Sequence, residues 1–295
     1  MRRWFSIAKA TALEMLSEPL SLLLLLSALA LTVFAPAFHY HQFGEASRMS
    51  RDAGFSAIFL AGSAFSIFVT IRAFRREIES GTLAMALSHP IARGGFFLAK
   101  LLGACFAYLL FVIIVLCACM VMIIGAEIGG IIADRSGDIA RIYGPFFAIG
   151  VGLIILPLII AAFFNSFFRF RFILSAIITM LILAILSSMI AIYMAPMMIL
   201  ALLPVAVLLM IPAIILMGVS GAFAMRFRAN GAATIAGISF VLMLPMIGCY
   251  YLPDALTNGG EIAWSYVGLA TLVAIPAFIA VALIGINFIS ERDVP

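Results

Sequence analysis

A chain of 295 residues that is 66% hydrophobic and only 10% charged, with a mean hydropathy of +1.27, has too little polar surface to fold as a soluble domain. Its apolar residues come in long runs, which marks a polytopic membrane protein. The net charge of +4 does not point to nucleic acid, because the 17 Lys and Arg residues sit at the ends of apolar runs rather than along one face.

From the start of the chain, residues 1–18 read as an amphipathic helix. Trp4, Phe5, Ala8, Ala12 and Leu16 share a face, while Arg2, Arg3, Lys9 and Glu14 lie elsewhere. An aromatic and basic opening of this kind suits the headgroup plane. Arg2-Arg3 and the small residues after the first apolar run imitate a secretory or twin-arginine signal. Glu14, Glu18 and the many later spans argue against one, so no cleavage is expected.

The first span is predicted over residues 19–38, with Pro19 in its first turn, and the second over 53–71, with Ala57, Ala61, Gly62, Ala64 and Ser66 placed for close helix contact. Residues 72–100 form a polar interruption, and span three follows over 101–124. Residues 125–145, with Glu127, Asp134, Arg135, Asp138 and Arg141, read as a solvated segment holding at most a short helix. Span four, 146–168, ends on the basic turn Arg169-Phe170-Arg171. The next 54 residues, 172–225, carry no charge at all and suit two crossings that turn near Ala195-Pro196. A second basic turn, Arg226-Phe227-Arg228, precedes span seven over 232–251, and span eight covers 262–289. The fold class is therefore all-α, a bundle of about eight spans forming one transmembrane domain over residues 1–295.

The interruption at 72–100 holds five basic residues, Arg72, Arg75, Arg76, Arg93 and Lys100. It begins as a charged helix from Arg72 to Glu79. Ser80-Gly81-Thr82 permits a break and a restart, Leu83 to Ser88 forms a second short helix, and His89-Pro90 closes it, since a residue before proline is pushed out of the helical region. The expected result is a pair of short helices lying flat between two spans.

The order of residues from Arg76 to Gly103 resembles the loop between the second and third spans of type-2 ABC exporter permeases, the membrane subunits of ATP-driven exporters. The positions that carry the likeness are Glu77, Glu79, Gly81, Thr82, Leu83, Leu87, Ser88, Pro90, Ile91, Arg93, Lys100 and Gly103. His89 departs from the pattern. The resemblance implies a six-span core, here with an extra pair, and an elbow helix at residues 1–18. It also implies a dimer, of two copies or of this chain with a paralogue, working with two copies of a separate ATPase that binds ATP and magnesium. Glu77, Glu79, Gly81, Thr82, Leu83, Leu87, Ser88, Pro90 and Arg93 would couple to that ATPase. Substrate would lie between subunits near spans one, two and five. The implied setting is a bacterial-type cytoplasmic (inner) membrane.

Charge placement supports the layout independently. With the N-terminus inside, 13 basic residues fall inside and 4 outside (Arg48, Arg51, Arg135 and Arg141), while the acids divide as 6 and 7. This is the positive-inside pattern, and it places both termini on the cytoplasmic side.

Catalytic signatures are missing. No G-x-x-x-x-G-K-[ST] occurs, so the phosphate cradle of a P-loop ATPase is missing, and if ATP drives this protein another chain binds it. Gly218-Val219-Ser220-Gly221 imitates an intramembrane serine-protease motif, but a serine nucleophile needs a base, and His39, His41 and His89 all lie in loops. Small residues at a helix crossing explain the motif better. Cys105, Cys117, Cys119 and Cys249 lie in apolar runs and read as small core hydrophobes, so no metal site is expected. Two rival functions stand beside this one. An ion-coupled secondary transporter usually keeps ionisable groups at membrane depth, whereas the acids here lie in loops or at span ends. A membrane assembly factor without transport would lack an ATPase partner.

Overall fold

The computed structural model describes residues 2–35, 46–79, 93–136, 139–194, 196–246 and 262–290. Among them there is no strand. The helices are α1 (Arg2–Leu16), α2 (Pro19–Phe34), α3 (Ala46–Ala64), a π-helical turn at Phe65–Val69, α4 (Thr70–Glu79), α5 (Arg93–Ser136), α6 (Ile139–Phe168), α7 (Phe172–Met194), α8 (Pro196–Arg226), α9 (Ala229–Met246) and α10 (Trp264–Ser290).

The apolar helices follow the expected order. Six stretches are long and apolar enough to cross a membrane, namely Ser47–Glu79, Gly94–Ile128, Gly144–Phe168, Phe172–Met194, Ala201–Arg226 and Trp264–Ser290. The amphipathic α1 and the leucine-rich α2 meet at 64° and make a seventh if taken together. The eighth apolar helix, α9, is shorter, apolar over Ala229–Leu242, and residues 247–261 after it lie outside the described residues.

Two expectations are revised. Arg72–Glu79 is not a separate flat helix: it continues the second span through the π turn into a single stretch of 33 residues. At 1.5 Å per residue that is about 50 Å, well beyond a hydrocarbon layer of about 30 Å, so its charged end has room to project from the membrane. Likewise α5 does not stop at Ile124 but runs for 44 residues to Ser136, and α6 already starts at Ile139. The expected solvated segment at 125–145 is therefore mostly helical. Gly125 lies inside α5 rather than at its end. A Cβ would fall 2.6 Å from Cβ of Phe146 on α6, so the glycine serves a close helix approach.

The chain forms two compact units. One comprises residues 1–21, 63–109 and 207–295, the other residues 22–62 and 110–206. In the first, α4 packs on α1 and α9, and Phe74 of α4 meets Phe97 of α5 edge to face at 5.6 Å. Gly221 of α8 lies against the Phe74 ring, 3.1 Å from where its Cβ would be, and Gly218 leaves space for Val281 of α10. Ser220 between them is fully buried. The G-x-S-G stretch is thus a helix crossing, as expected. In the second unit, α6 and α7 form a hairpin in which the Thr179 hydroxyl donates to the carbonyl of Pro157 (3.4 Å) and to Ser175 one turn back (2.8 Å). Phe34 and Phe147 meet edge to face at 5.7 Å, and Cys119 is buried against Gly54.

Candidate functional site: the charged end of α4

Within the first unit, α4 divides its residues by face. Thr70, Ile71, Ala73 and Phe74 are buried, while Arg72, Arg76 and Glu79 are exposed and Arg75 is partly covered. The 3.6-residue period puts the apolar positions on one stripe.

The buried stripe carries a charge with it. Lys100, one turn into the apolar part of α5, has no exposed surface, and its ammonium lies 4.9 Å from the centre of the Phe74 ring and 5.7 Å from that of Phe96. A buried cation is tolerable only when paired and hydrogen-bonded. Lys100 Nζ donates to the Ala73 carbonyl at 2.9 Å and reaches Glu77 Oε2 at 2.9 Å. One cation thus meets a backbone acceptor, a carboxylate and two ring faces, and it pins the start of α5 to the end of α4.

The exposed side of α4 is tied to three other segments. Arg76 reaches Glu14 (3.6 Å) and Glu18 (3.3 Å), and Arg72 reaches Glu18 (3.9 Å), binding α4 to α1 and the bend after it. Arg75 donates to Glu79 through Nε (3.0 Å) and Nη2 (2.9 Å), and through Nη1 to the carbonyl of Phe227 (2.7 Å) in the turn between α8 and α9. Burial pushes the Glu14 carboxyl above its ordinary 4.5, with Lys100 and Arg76 opposing the shift and Glu77 and Glu18 adding to it. Glu18, Ile71, Arg72, Arg75, Arg76, Glu79 and Ala229 line an open groove of about 390 Å³. Ion pairs thus tie α4 to α1 and α5, and the Arg75 hydrogen bond ties it to the turn at Phe227.

Of the residues expected to couple to a partner, Glu79 is the most exposed of the described ones, with 63% of its side chain accessible. Glu77 is turned inward to Lys100. Arg93 opens α5. Gly81, Thr82, Leu83, Leu87, Ser88 and Pro90 lie outside the described residues. Glu14, Glu18 and the Phe227 carbonyl belong to the site but were not expected there. Lys100 was matched to the family loop without a role. A lysine one turn inside a span was the available signal, since such a charge needs an anion nearby. Among the described residues no three His, Cys, Asp or Glu side chains gather to hold a metal ion.

A family model described as ABC-2 family transporter protein matches residues 12–187. The chain belongs to this family. The match begins in the last turn of α1, runs through most of α7 and contains the whole segment between α4 and α5. No curated protein and no solved structure matches. The ABC-2 chain is thus a multi-pass membrane transporter permease, and membership implies an ABC ATPase as its partner.

Proposed function

We propose that this ABC-2 chain is the permease subunit of an ATP-driven exporter, moving its substrate by alternating access while a separate ATPase supplies the work. Two copies of that ATPase would bind ATP and magnesium, and two permease chains, identical or paralogous, would enclose the path. The chain would sit in a bacterial-type cytoplasmic membrane with both termini inside, in keeping with its 13-to-4 distribution of basic residues.

The observation that carries this reading is the end of α4. Its ion pairs and the Arg75 hydrogen bond join α4 to α1, α5 and the turn at Phe227, while most of the Glu79 side chain stays accessible directly before the segment that resembles the family's coupling loop. Coupling is assigned to Glu79, Gly81, Thr82, Leu83, Leu87, Ser88, Pro90 and Arg93. Glu77 serves indirectly, by fixing the α4–α5 junction.

Glu79→Lys tests it. An ABC ATPase that co-purifies with the parent chain from its native membrane is co-expressed with it, and pull-down, ATP hydrolysis and thermal unfolding are compared with the parent complex. An exposed i, i+4 pair contributes about 0–1 kcal/mol, so the unfolding temperature should hardly move. ATPase retention or permease-stimulated hydrolysis should fall. A complex with parental retention and hydrolysis overturns the docking role of Glu79, and a chain that unfolds assigns it a local structural one.

A further inference from the structure

The second unit contains a basic helix end of a different kind. All of residues 162–171, the last two turns of α6 and the turn into α7, are exposed. Phe163, Phe164, Phe167, Phe168 and Phe170 form one connected surface. Phe163 stacks on Phe167 at 4.4 Å, and Phe170 folds back to within 6.4 Å of Phe164 and 6.2 Å of Phe168. Phe167 is 70% accessible. The chain reverses here through Arg169, whose φ of 55° lies in the left-handed region that side chains disfavour. That conformation closes α6, with Arg169 N–H donating to the Asn165 carbonyl at 3.2 Å.

Neither the Arg169 nor the Arg171 guanidinium meets a carboxylate, carbonyl or ring among the described residues. By contrast Arg72, Arg75, Arg76 and Lys100 each reach a carboxylate, and Arg226 lies 5.2 Å from the Phe288 ring centre. The acid-free stretch of sequence is long, since no Asp or Glu occurs from residue 139 to residue 253.

We propose that the α6–α7 turn is a docking site for an anionic phospholipid, with the phosphate on Arg169 and Arg171 and the acyl chain against the phenylalanine surface. Each half of the site selects this occupant. The rings close a helix long and apolar enough to cross the membrane, so acyl chains are their expected contact, and guanidinium groups at that span end bind phosphate in bidentate geometry. Only an amphiphile with the anion next to the chain satisfies both at one spot. A second copy of the chain fits less well. It would bury unpaired cations at an interface, where charge is normally depleted. Of the carboxylates whose side chains are described, all but Glu127 already have a basic partner.

The test places a reporter in the patch, Phe167→Trp, in a chain carrying Trp4→Phe and Trp264→Phe. The chain is reconstituted in nanodiscs with brominated phosphatidylglycerol or brominated phosphatidylcholine, and tryptophan quenching gives the relative binding of each. A basic residue beside an anionic surface is worth roughly a fivefold change in local partitioning, so a preference for phosphatidylglycerol of at least about fivefold is expected. The pair Arg169→Gln/Arg171→Gln should bring the ratio to about one, Arg169→Lys/Arg171→Lys should keep most of it, and excess inorganic phosphate should leave it unchanged. A ratio of one in the reporter chain, or one unmoved by the glutamine pair, overturns the proposal. So does a ratio abolished by inorganic phosphate, which would make this a free-anion site, or an absence of quenching by either lipid, which would mean that protein covers the rings. Native mass spectrometry of the otherwise unsubstituted chain, with and without the glutamine pair, decides the matter if the reporter chain fails to fold. Retained phosphatidylglycerol that is lost in the pair supports the site, and retention equal in both overturns it.

Discussion

The end of α4 and the turn between α6 and α7 are both arginine-rich helix ends, and they solve the problem of positive charge in opposite ways. At α4 every cation has a carboxylate within 4 Å, drawn from α1, from the bend after it or from α4 itself. Among the described residues the cations at the α6–α7 turn have none, and aromatic rings stand exposed around them. A basic cluster is therefore not one kind of feature. Where carboxylates from distant segments converge it acts as a structural joint, and where none of the described ones arrives it stays exposed.

The joint should be sensitive to loss of a single partner, and the effect should be asymmetric. Glu77→Ala leaves Lys100 with only the Ala73 carbonyl and two rings inside a closed site. Breaking a buried pair in this way costs about 3–5 kcal/mol. Lys100→Met should cost less, because the Glu77 side chain is 26% accessible and can turn to water. Thermal unfolding in detergent should therefore rank Glu77→Ala below Lys100→Met, with both below the parent. The reverse order would show that the ring and carbonyl contacts hold the ammonium without its carboxylate.

The comparison also shows what could be read from the residues alone. The all-α class and the order of apolar helices were legible, because runs of about twenty apolar residues admit few other readings. Helix ends were less so. Gly125 looked like a boundary, and only the proximity of Phe146 reveals a glycine kept for packing within α5. The partners of the charges were the least legible. Glu18 and Arg76 are 58 residues apart and Arg75 reaches a carbonyl 152 residues away, separations that no local pattern encodes. The Glu77–Lys100 pair brackets the family loop, yet counting charges along the chain made Glu77 look like a surface residue. Both basic turns near the ends of spans read alike, as R-F-R, although among the described residues only the side chain of Arg226 finds a ring to sit over.

The open turn should respond to backbone chemistry more than to loss of charge. A left-handed conformation costs a non-glycine residue roughly 1–2 kcal/mol, and glycine gives back part of that through the greater freedom of the unfolded chain. Arg169→Gly should therefore raise stability by up to about 1 kcal/mol. Arg171→Gln, on an exposed side chain without a partner among the described residues, should change it by less than about 0.5 kcal/mol. Both are measured by thermal unfolding in one uncharged detergent, which removes the lipid contribution. A clear loss in Arg169→Gly would mean that the guanidinium itself holds the turn, and the contrast with α4 would narrow.

The smallest expected effect lies inside the joint, at Glu14. Its ion pair with Arg76 suggests that the charge is welcome, yet burial outweighs the nearby cations and holds the carboxyl above its ordinary 4.5. The sign follows from linkage. A native state that binds this proton more tightly than the unfolded chain has its full benefit below about pH 4.5 and loses it as the pH rises through the raised native value. Glutamine imitates the protonated form at every pH. The difference in unfolding temperature, Glu14→Gln minus parent, should thus be near zero at the acid end, become positive as the pH passes upward through that window and level off toward neutrality. A difference that turns negative with rising pH would make the Arg76 and Lys100 charges dominant over burial. Glu14 would then belong with Glu77 among the carboxylates that hold α4, and the joint would be uniform in the sense in which the open turn is not.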